Sequence, residues 1–397
     1  MAVQRAPLRG PAPVERAPGQ VIAGRFRLVQ MLGQGGMACV WVAQHLTLKV
    51  HVAIKFMDGA FAAGDETALK RFNQEATAAA AIQSPYVVKI LDYGNDSAGR
   101  PYLAMELLRG EDLDHRLERG GPLPVEVVQQ IVTEACKGLS SAHAEGVVHR
   151  DLKPENIFLC KEPEGFSAKI LDFGIARATH ELATRGNLTI TGQLLGTPMY
   201  MSPEQALGKK DVDFRSDLYS LAVVAFQCLT GATPYEESET VGEIIVSITT
   251  RPPRSAALLR PDLPSGVVRW LETALAKKPE ERFPSAKDMA DALNDACAAR
   301  KMTVTMSGFD VDDTVPPNID FDSLNMPSVL EQLTPARQVR RDPARQAVTQ
   351  RDVEPLRTPL PKAEPKPKGA SPTFIFLALV TAALVVGTAL YLYLRTH

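Results

Sequence analysis

The pattern of apolar and polar residues predicts strands in the first part of the chain and helices after them. Alternating side chains at 26–29 run into a glycine-rich turn, and β-branched residues fill a second strand at 52–55. Two more strands are predicted at 86–92 and 101–106. An alanine-rich helix is predicted between the second and third strands, over about residues 65–82.

Longer helical periods follow this strand-rich part. Residues 124–144 carry Val, Ile and Leu at helical spacing, with Pro124 in the first turn, where a missing N–H is tolerated. A more apolar helix is predicted over 216–229. After residue 297 the pattern changes, and no sustained helical or strand period follows up to residue 372.

The composition argues against several classes of protein. A formal net charge of −2 gives no indication of a nucleic-acid-binding protein, and 45% hydrophobic residues is enough for a large core. The five cysteines are scattered, odd in number and without a CxxC pair. Neither a disulfide framework nor a zinc site is therefore expected, and a reducing cytosol suits this chain.

The two ends of the chain differ in composition from the middle. Residues 1–20 are rich in Ala, Pro and Arg and are predicted to form a disordered tail without a signal peptide. Residues 298–372 are first acidic and then rich in Pro, Lys and Arg, without a sustained helical or strand period. This composition predicts a flexible linker.

Residues 374–394 contain no charged side chain. As a helix, these 21 residues would be about 31 Å long, enough for a hydrocarbon layer of about 30 Å. Between 337 and 370, nine Lys and Arg outnumber four Asp and Glu, which favours a cytoplasmic flank. We therefore expect a single-pass tail anchor, with residues 395–397 as a short extracytoplasmic end and no extracellular sensor.

Candidate catalytic groups lie at fixed offsets in the string His-Arg-Asp-Leu-Lys-Pro-Glu-Asn, residues 149–156. Asp151 can accept the proton of a hydroxyl, Lys153 can offset charge on a transferred phosphoryl group, and Asn156 can hold a metal ion. Asp172 begins an Asp-Phe-Gly tripeptide and can bind a bridging Mg²⁺. Together the string and the tripeptide are far more specific than either alone, and they predict phosphoryl transfer to a hydroxyl.

A second motif lies in the glycine-rich turn at 32–40. Gly33, Gly35 and Gly36 allow a hairpin backbone to close over phosphates without side-chain clashes. The turn joins two strands rather than a strand and a helix, which argues against the dinucleotide-binding fingerprint. Ala38 lies where a third glycine is usual, and we expect it to stiffen the loop without abolishing nucleotide binding.

Together these motifs resemble those of the Hanks-type protein kinases, over about residues 26–297. The resemblance implies an α+β, bilobal protein kinase fold, with a small β-rich N-lobe and a larger helical C-lobe. It also implies the use of ATP with Mg²⁺, or with Mn²⁺ in its place. Lys153, two residues after Asp151, is the arrangement of Ser/Thr-directed kinases. The Gly-Gly-Met turn and the Ser-Pro-Glu-Gln string are similar to those of bacterial membrane-anchored Ser/Thr kinases.

The resemblance further implies a set of nucleotide contacts. Lys55 would bind the α- and β-phosphates and pair with Glu75 of the alanine-rich helix; the alternative is a solvated surface pair of little energetic value. Met105 would lie at the back of the adenine pocket, and Phe158 would form its floor. The implied ATP-binding residues are Leu32, Gly33, Gly35, Gly36, Val40, Ala53, Lys55, Glu75, Met105, Glu106, Leu108 and Phe158.

Other residues are implied to act on the structure of the larger lobe. Asp217 would hold the backbone of the catalytic loop, and Arg282 would pair with a buried Glu204. His149 is expected to be a buried residue that supports Phe173, rather than one that carries protons.

The connection from residue 172 to residue 204 is longer than a simple loop in a compact domain, which indicates that it has a function. Arg150 directly precedes Asp151, and its guanidinium invites an anion, which a phosphothreonine of this segment would supply as a bidentate partner. Thr189 and Thr191 lie where the resembled kinases carry such phosphates. We expect phosphorylation at either residue to order the segment and switch the enzyme on.

Two classes of function remain open from the sequence. The first is a membrane-anchored kinase that acts on Ser and Thr of proteins and on a second copy of itself, since confinement to a membrane favours phosphorylation in trans. The second is a pseudokinase scaffold that binds nucleotide or partners without transferring phosphate, for which Ala38 is the only support. The residues that favour the first class are Lys55, Glu75, Asp151, Asn156 and Asp172.

Overall fold

The computed structural model of the protein describes residues 16–34, 38–57, 66–173, 198–236, 238 and 240–298. In chain order its strands are β1 (Val21–Ile22), β2 (Phe26–Gln34), β3 (Cys39–His45), β4 (His51–Phe56), β5 (Ile90–Asn95), β6 (Pro101–Glu106), β7 (Gly110–Asp112), β8 (Ile157–Glu162) and β9 (Gly165–Ile170). They form a six-stranded sheet in the order β1-β2-β3-β4-β6-β5 and a three-stranded sheet in the order β7-β8-β9. All of these strand pairs are antiparallel.

Helices supply most of the structure outside the sheets. Those of the described residues are α1 (Glu66–Ala81), α2 (Leu113–Gly120), α3 (Val125–Ala144), α4 (Pro203–Ala206), α5 (Arg215–Thr230), α6 (Val241–Thr250), α7 (Ala256–Leu259), α8 (Ser265–Ala274) and α9 (Ala286–Ala298). Helix α5 is buried along nearly its whole length, because its sequence is apolar on almost every face. Its first turn carries Asp217, which is completely buried.

The apolar residues form separate cores for the two sides of the domain. One core lies among α3, α5, α8 and α9 and includes Leu139, Phe226 and Trp270. Another packs against the six-stranded sheet and includes Phe26 and Tyr102. The described domain therefore has a β-rich lobe and a larger helical lobe, each with its own buried cluster.

Strand register brings the predicted N-terminal site residues together. Strand β3 pairs with β4 so that Val40 lies opposite Lys55, and β4 pairs with β6 so that Ala53 lies opposite Met105. In the helical lobe, β8 and β9 form a hairpin, and Asp172 follows β9 by two residues. The sheet and the hairpin therefore each present site residues at the boundary of the lobes.

Most predicted elements agree with the structure to within a residue or two. The helices predicted over 65–82, 124–144 and 216–229 are α1, α3 and α5. The strands predicted at 52–55 and 101–106 are β4 and β6.

The strand predicted at 86–92 is wrong in its bounds, because β5 begins only at Ile90. The Val88 N–H donates to the Ile170 carbonyl, and the Ile170 N–H donates to the Tyr86 carbonyl, each at 2.9 Å. Residues just before β5 therefore bond to the end of β9 in the helical lobe instead of continuing the first sheet.

The disordered tail predicted at 1–20 extends too far, because residues 16–20 belong to the described structure. The Gly19 N–H donates to the Leu28 carbonyl at 2.8 Å, so the chain is already hydrogen-bonded beside β2. The Arg16 guanidinium lies 3.7 Å from the centroid of the Phe56 ring and 3.7 Å from the Asp96 carboxylate. One arginine thus supplies the ring contact and the charge that this segment needs to pack, despite its composition.

The predicted C-terminal elements lie almost entirely outside the part of the chain that the structure describes. Apart from Ala298, the linker at 298–372 lies outside the described residues, as do the membrane helix at 374–394 and the end at 395–397. Among the helices that are described, we find none with the length and apolar character that crossing a membrane requires.

Candidate active site

A cavity of about 370 Å³ lies between the two lobes. Its walls come from the six-stranded sheet on one side and from the β7-β8-β9 sheet and the residues after β9 on the other. Ten of the residues predicted from the sequence line it: Leu32, Gly33, Val40, Ala53, Lys55, Met105, Glu106, Leu108, Phe158 and Asp172.

One half of the cavity is apolar. Val42, Ala53, Val88, Met105 and Leu107 form a buried cluster at this wall, and partly exposed Leu and Val side chains pack against it. Apolar faces of this kind suit a flat heterocyclic base, and the paired strands β4 and β6 hold the wall in place.

The segment after β6 carries backbone groups that an adenine edge could use. The Glu106 N–H donates to the Lys89 carbonyl at 3.0 Å, and the Glu106 carboxylate accepts from the Lys89 N–H at 2.8 Å and from the Lys169 ammonium at 2.7 Å. The Glu106 N–H therefore already has a partner within the protein. The adenine contacts predicted at Glu106 and Leu108 stay a prediction.

The polar half of the cavity contains an ion pair. The Lys55 ammonium nitrogen lies 2.5 Å from Asp172 Oδ2. Burial alone would raise the pKa of the Asp172 carboxyl, but the Lys55 ammonium, helped by His149 and Lys153, lowers that pKa below its ordinary value. Asp172 is therefore ionised at neutral pH, as a metal ligand must be. Its φ of 57° is a strained conformation of the kind that clusters at functional sites.

The second predicted partner of Lys55 is Glu75, which lies half-buried on α1. Helix α1 packs against β5 and β6. The contact that the structure describes for Lys55 is the one with Asp172, and the pairing of Lys55 with Glu75 stays a prediction.

The catalytic loop is held by side chains from other elements. Asp217 accepts from the His149 N–H at 2.9 Å and from the Arg150 N–H at 2.8 Å, which is the contact predicted from the sequence. Asn156 Nδ2 donates to the Asp151 carbonyl at 2.7 Å. Arg150 has a φ of 67°, so the loop is held in a strained conformation directly before Asp151.

The carboxylate of Asp151 is open to solvent and has an ammonium beside it. Its side chain is 42% exposed, and Lys153 Nζ lies 3.9 Å from Asp151 Oδ2 and 3.7 Å from Glu155 Oε1. A hydroxyl can therefore reach the Asp151 carboxylate, with the Lys153 ammonium beside it.

His149 connects the catalytic loop to the segment that carries Asp172. His149 Nε2 lies 2.7 Å from the Leu171 carbonyl, and its ring packs edge-on against Phe173 at 4.8 Å between centroids. Because a carbonyl only accepts, Nε2 carries the proton, and Nδ1 accepts from the Asp151 N–H at 3.3 Å. The predicted packing role of His149 is confirmed.

Glu204 and Arg282 form a pair away from the cavity. Two guanidinium nitrogens of Arg282 donate to the two carboxylate oxygens of Glu204, each at 2.8 Å. The remaining Arg282 donors reach the carbonyls of Ala276, Arg215 and Lys277. Burial would raise the pKa of Glu204, but the hydrogen bonds and charge of Arg282 lower it below its ordinary value.

Several residues of the cavity wall were not predicted. Val88 and Leu171 reach the wall through the bonds that join residues 86–88 to the end of β9, and a single sequence carries no signal for that pairing. Asp112 could have been found, because it caps α2 by accepting from the His115 N–H. The full set of unpredicted lining residues is Val88, Leu107, Gly110, Asp112, His115, Glu155 and Leu171.

Four predicted residues lie outside the described part of the chain. Two belong to the glycine-rich turn and two to the segment after Asp172; they are Gly35, Gly36, Thr189 and Thr191.

Within the described ranges, no group of three or more His, Cys, Asp and Glu side chains could hold a metal ion. Mg²⁺ that travels with a nucleotide does not need such a group, since it is usually held by one or two carboxylates together with phosphate oxygens. Asp172 and the Asn156 carboxamide fit that donor set.

Comparison with known proteins identifies the family. The model of the protein kinase domain matches residues 26–294. Serine/threonine-protein kinase PknH of Mycobacterium bovis is 38% identical over 273 residues, covering 69% of this chain and 44% of PknH. Serine/threonine-protein kinase pkn3 of Myxococcus xanthus is 39% identical over 274 residues, covering 68% of this chain and 49% of pkn3. The chain thus spans less than half the length of these curated relatives.

Solved structures agree with these matches. The crystal structure of the Mycobacterium tuberculosis PknI kinase domain superimposes with a TM-score of 0.58 and 31% identity, covering 72% of this chain and all of that domain. The predicted bilobal fold and the predicted resemblance to bacterial Hanks-type Ser/Thr kinases are thereby confirmed. The chain belongs to the protein kinase domain family.

Proposed function

We propose that this chain is a Ser/Thr protein kinase that transfers the γ-phosphoryl group of ATP to hydroxyls of proteins. The observation that carries the proposal is the link between the Lys55–Asp172 pair in the cavity and the loop that bears Asp151. Lys55 and Asp172 pair inside the cavity, and the loop that bears Asp151 is bonded to the Asp172 segment through His149. The names of relatives with 38–39% identity support the Ser/Thr class.

In the proposed reaction, a protein hydroxyl attacks the γ-phosphorus and the bond to the departing ADP breaks. Asp151 accepts the proton of that hydroxyl, and Lys153 stabilises negative charge on the transferred phosphoryl group. Lys55 binds the phosphates of the nucleotide, while the apolar wall around Ala53 and Met105 holds the adenine. ATP is therefore oriented from both ends of the cavity.

A divalent metal is expected with ATP in this family, and we propose Mg²⁺, with Mn²⁺ as a substitute. Asp172 and Asn156 are the proposed ligands. The ionised state of Asp172 supports this role, and so does the carboxamide of Asn156, whose amide nitrogen is already bound to the Asp151 carbonyl. The metal would neutralise charge on the phosphate oxygens.

We also propose that phosphorylation at Thr189 or Thr191 activates the enzyme. Arg150 Nε is buried and has no hydrogen-bond partner among the described residues, so the guanidinium beside Asp151 can bind an anion as a hydrogen-bond donor. Phosphopeptide mapping of active enzyme is expected to find one of these sites occupied; active enzyme with both sites bare would refute the proposal.

The uncharged stretch at 374–394 supports a membrane anchor, with the kinase domain on the cytoplasmic side and a second copy of the chain as a partner for phosphorylation in trans. Extraction of expressing cells with alkaline carbonate is expected to leave the full chain with the membranes and to release a variant that lacks residues 374–394. Release of both proteins would refute the anchor.

The activity is tested by incubating the full chain with γ-labelled ATP, Mg²⁺ and myelin basic protein as a model acceptor. Acid hydrolysis of the product is expected to yield labelled phosphoserine or phosphothreonine. Nucleotide binding without any incorporation would favour the pseudokinase scaffold instead, and label confined to phosphotyrosine would refute the Ser/Thr class.

A further inference from the structure

The side chain of Gln205 connects two segments that lie 55 residues apart. Gln205 is the third residue of α4, directly after Glu204. Its Nε2 donates to the Arg150 carbonyl at 2.7 Å. Its Oε1 accepts from the Ser202 N–H at 3.0 Å and from the Ser202 hydroxyl at 2.9 Å.

The backbone partners fix which way this amide points. The Ser202 N–H can only donate, so it requires the oxygen of Gln205. The Arg150 carbonyl can only accept, so it requires the nitrogen. The amide therefore has one orientation in which both bonds form. Turning it by 180° would place its nitrogen against the Ser202 N–H and its oxygen against the Arg150 carbonyl.

The bond to Arg150 acts on the peptide group that leads into Asp151. The carbonyl of this peptide belongs to Arg150 and accepts from Gln205, while its N–H belongs to Asp151 and donates to His149 Nδ1. The preceding N–H, that of Arg150, is held by Asp217. Gln205 therefore closes a set of bonds that holds Arg150 at its strained φ of 67° and fixes the plane from which the Asp151 side chain departs.

An ordinary helix cap does not account for this contact. The capping box at the start of α4 uses the Ser202 hydroxyl and the Gln205 oxygen. The Gln205 nitrogen is not needed for it, and a glutamate at this position would complete the same box. The nitrogen is instead directed to the catalytic loop.

We infer that Gln205 is a positioning residue for the proposed phosphoryl transfer: it sets the orientation of Asp151 by hydrogen-bonding the carbonyl of Arg150. The inference rests on the proposed kinase activity. It assigns to Gln205 an effect on the chemical step that is separate from the anchoring role of its neighbour Glu204.

The test uses a near-isosteric variant of the full chain, Gln205→Glu. The carboxylate retains the acceptor for Ser202 and keeps the capping box, but it presents an oxygen to the Arg150 carbonyl where the wild type presents a donor. Because small displacements of a catalytic group can cost up to about a hundredfold in rate, we expect kcat to fall by about 10- to 100-fold. The KM for ATP should change by less than about twofold, since Gln205 is not among the residues that line the cavity.

Gln130→Glu is the matched control. Gln130 Nε2 donates to the Phe166 carbonyl at 2.8 Å and to Glu134 Oε1 at 3.1 Å, so the same substitution removes the same kind of bond between α3 and β9, away from the catalytic loop. It also places a carboxylate beside Glu134, which makes Gln130→Glu at least as disruptive locally as Gln205→Glu. Each variant is assayed with myelin basic protein as acceptor, with the phosphorylation state matched by intact mass and the melting temperature measured in parallel. Gln205→Ala, which removes both functions of the amide, provides a second variant.

The inference is supported if Gln205→Glu loses kcat at a melting temperature close to that of the wild type while Gln130→Glu keeps it. It is overturned if kcat of Gln205→Glu stays within twofold of the wild type, if Gln130→Glu loses as much, or if both Gln205 variants fail to fold, since the role would then be structural. An inactive wild-type chain would instead refute the proposed function itself.

Discussion

Among the buried and half-buried ion pairs of the described residues, Glu204–Arg282 and Lys55–Asp172 differ in how completely they are surrounded. The side chains of Glu204 and Arg282 are 5% and 0% exposed, and their charges meet through two parallel hydrogen bonds. The side chains of Lys55 and Asp172 are 23% or less exposed but line an open cavity and meet through one contact. The first pair is closed to solvent, whereas the second is accessible to a ligand.

The difference indicates what each pair can do. The remaining Arg282 donors go to three backbone carbonyls, so a ligand could bind Arg282 only if these buried hydrogen bonds were broken. In the cleft, the Lys55 ammonium has three N–H donors and phosphate oxygens can reach it. The same chemical pair therefore anchors a fold in one place and can exchange partners in the other. Substitutions should separate these roles.

The largest effect is expected at the closed pair. Arg282→Ala leaves the Glu204 carboxylate buried without its partner, and breaking a buried pair in this way costs about 3–5 kcal/mol. The free energy of unfolding, measured with denaturant, should fall by that amount. A loss of less than about 1 kcal/mol would mean that Glu204 finds another partner and that the pair does not anchor the lobe.

The open pair should respond in activity rather than in stability. Lys55→Met removes the charge that we propose binds phosphate, and we expect kcat/KM to fall by about 10²- to 10³-fold, as for the loss of one group that stabilises the transition state. The melting temperature should stay close to that of the wild type, because the cavity exposes Asp172 to water. A large loss of stability with this variant would erase the contrast between the pairs.

Acid should weaken the closed pair in a predictable direction. Arg282 holds the pKa of Glu204 in the folded protein below its ordinary value of 4.5. Its contribution to stability is therefore fully present above that value and is lost as pH falls through the lower folded pKa, by about 1.4 kcal/mol for each unit of pKa difference. The wild type should lose more unfolding free energy than Glu204→Gln as the pH falls below 4.5. Parallel curves for the two proteins would contradict the expected pKa.

The smallest effect is expected at a fully exposed pair. Lys287 and Asp291 meet at 2.5 Å on α9, but their side chains are 78% and 57% exposed. Lys287→Ala should leave the free energy of unfolding close to that of the wild type, because water and salt screen such pairs. A loss as large as that of Arg282→Ala would show that burial is not what separates the pairs.

The sequence predicted the parts of the fold that depend on local pattern. The periods of α3 and α5 and the alternation of β4 and β6 are properties of short windows, so their bounds were close. The site was predicted for a related reason, because Asp151, Asn156 and Asp172 belong to motifs with fixed spacing. Their chemistry can be recognised without knowledge of the fold.

Features that depend on contacts between distant segments were missed. Residues 86–88 form bonds with Ile170 rather than with a neighbouring strand, and this moved the start of β5. Arg16 packs against Phe56 although the composition around it predicts disorder. Gln205 reaches Arg150 from a four-residue helix. No short window contains both partners of these contacts.

The most direct test of the proposed function is the rate of phosphate incorporation by the wild type and by Asp151→Asn, measured on full chains with equal melting temperatures. Asparagine keeps the size of the side chain but cannot accept the proton of the attacking hydroxyl. The proposal predicts incorporation into Ser or Thr by the wild type and a rate lower by about 10²- to 10⁴-fold in the variant. Equal rates in the two proteins would contradict it.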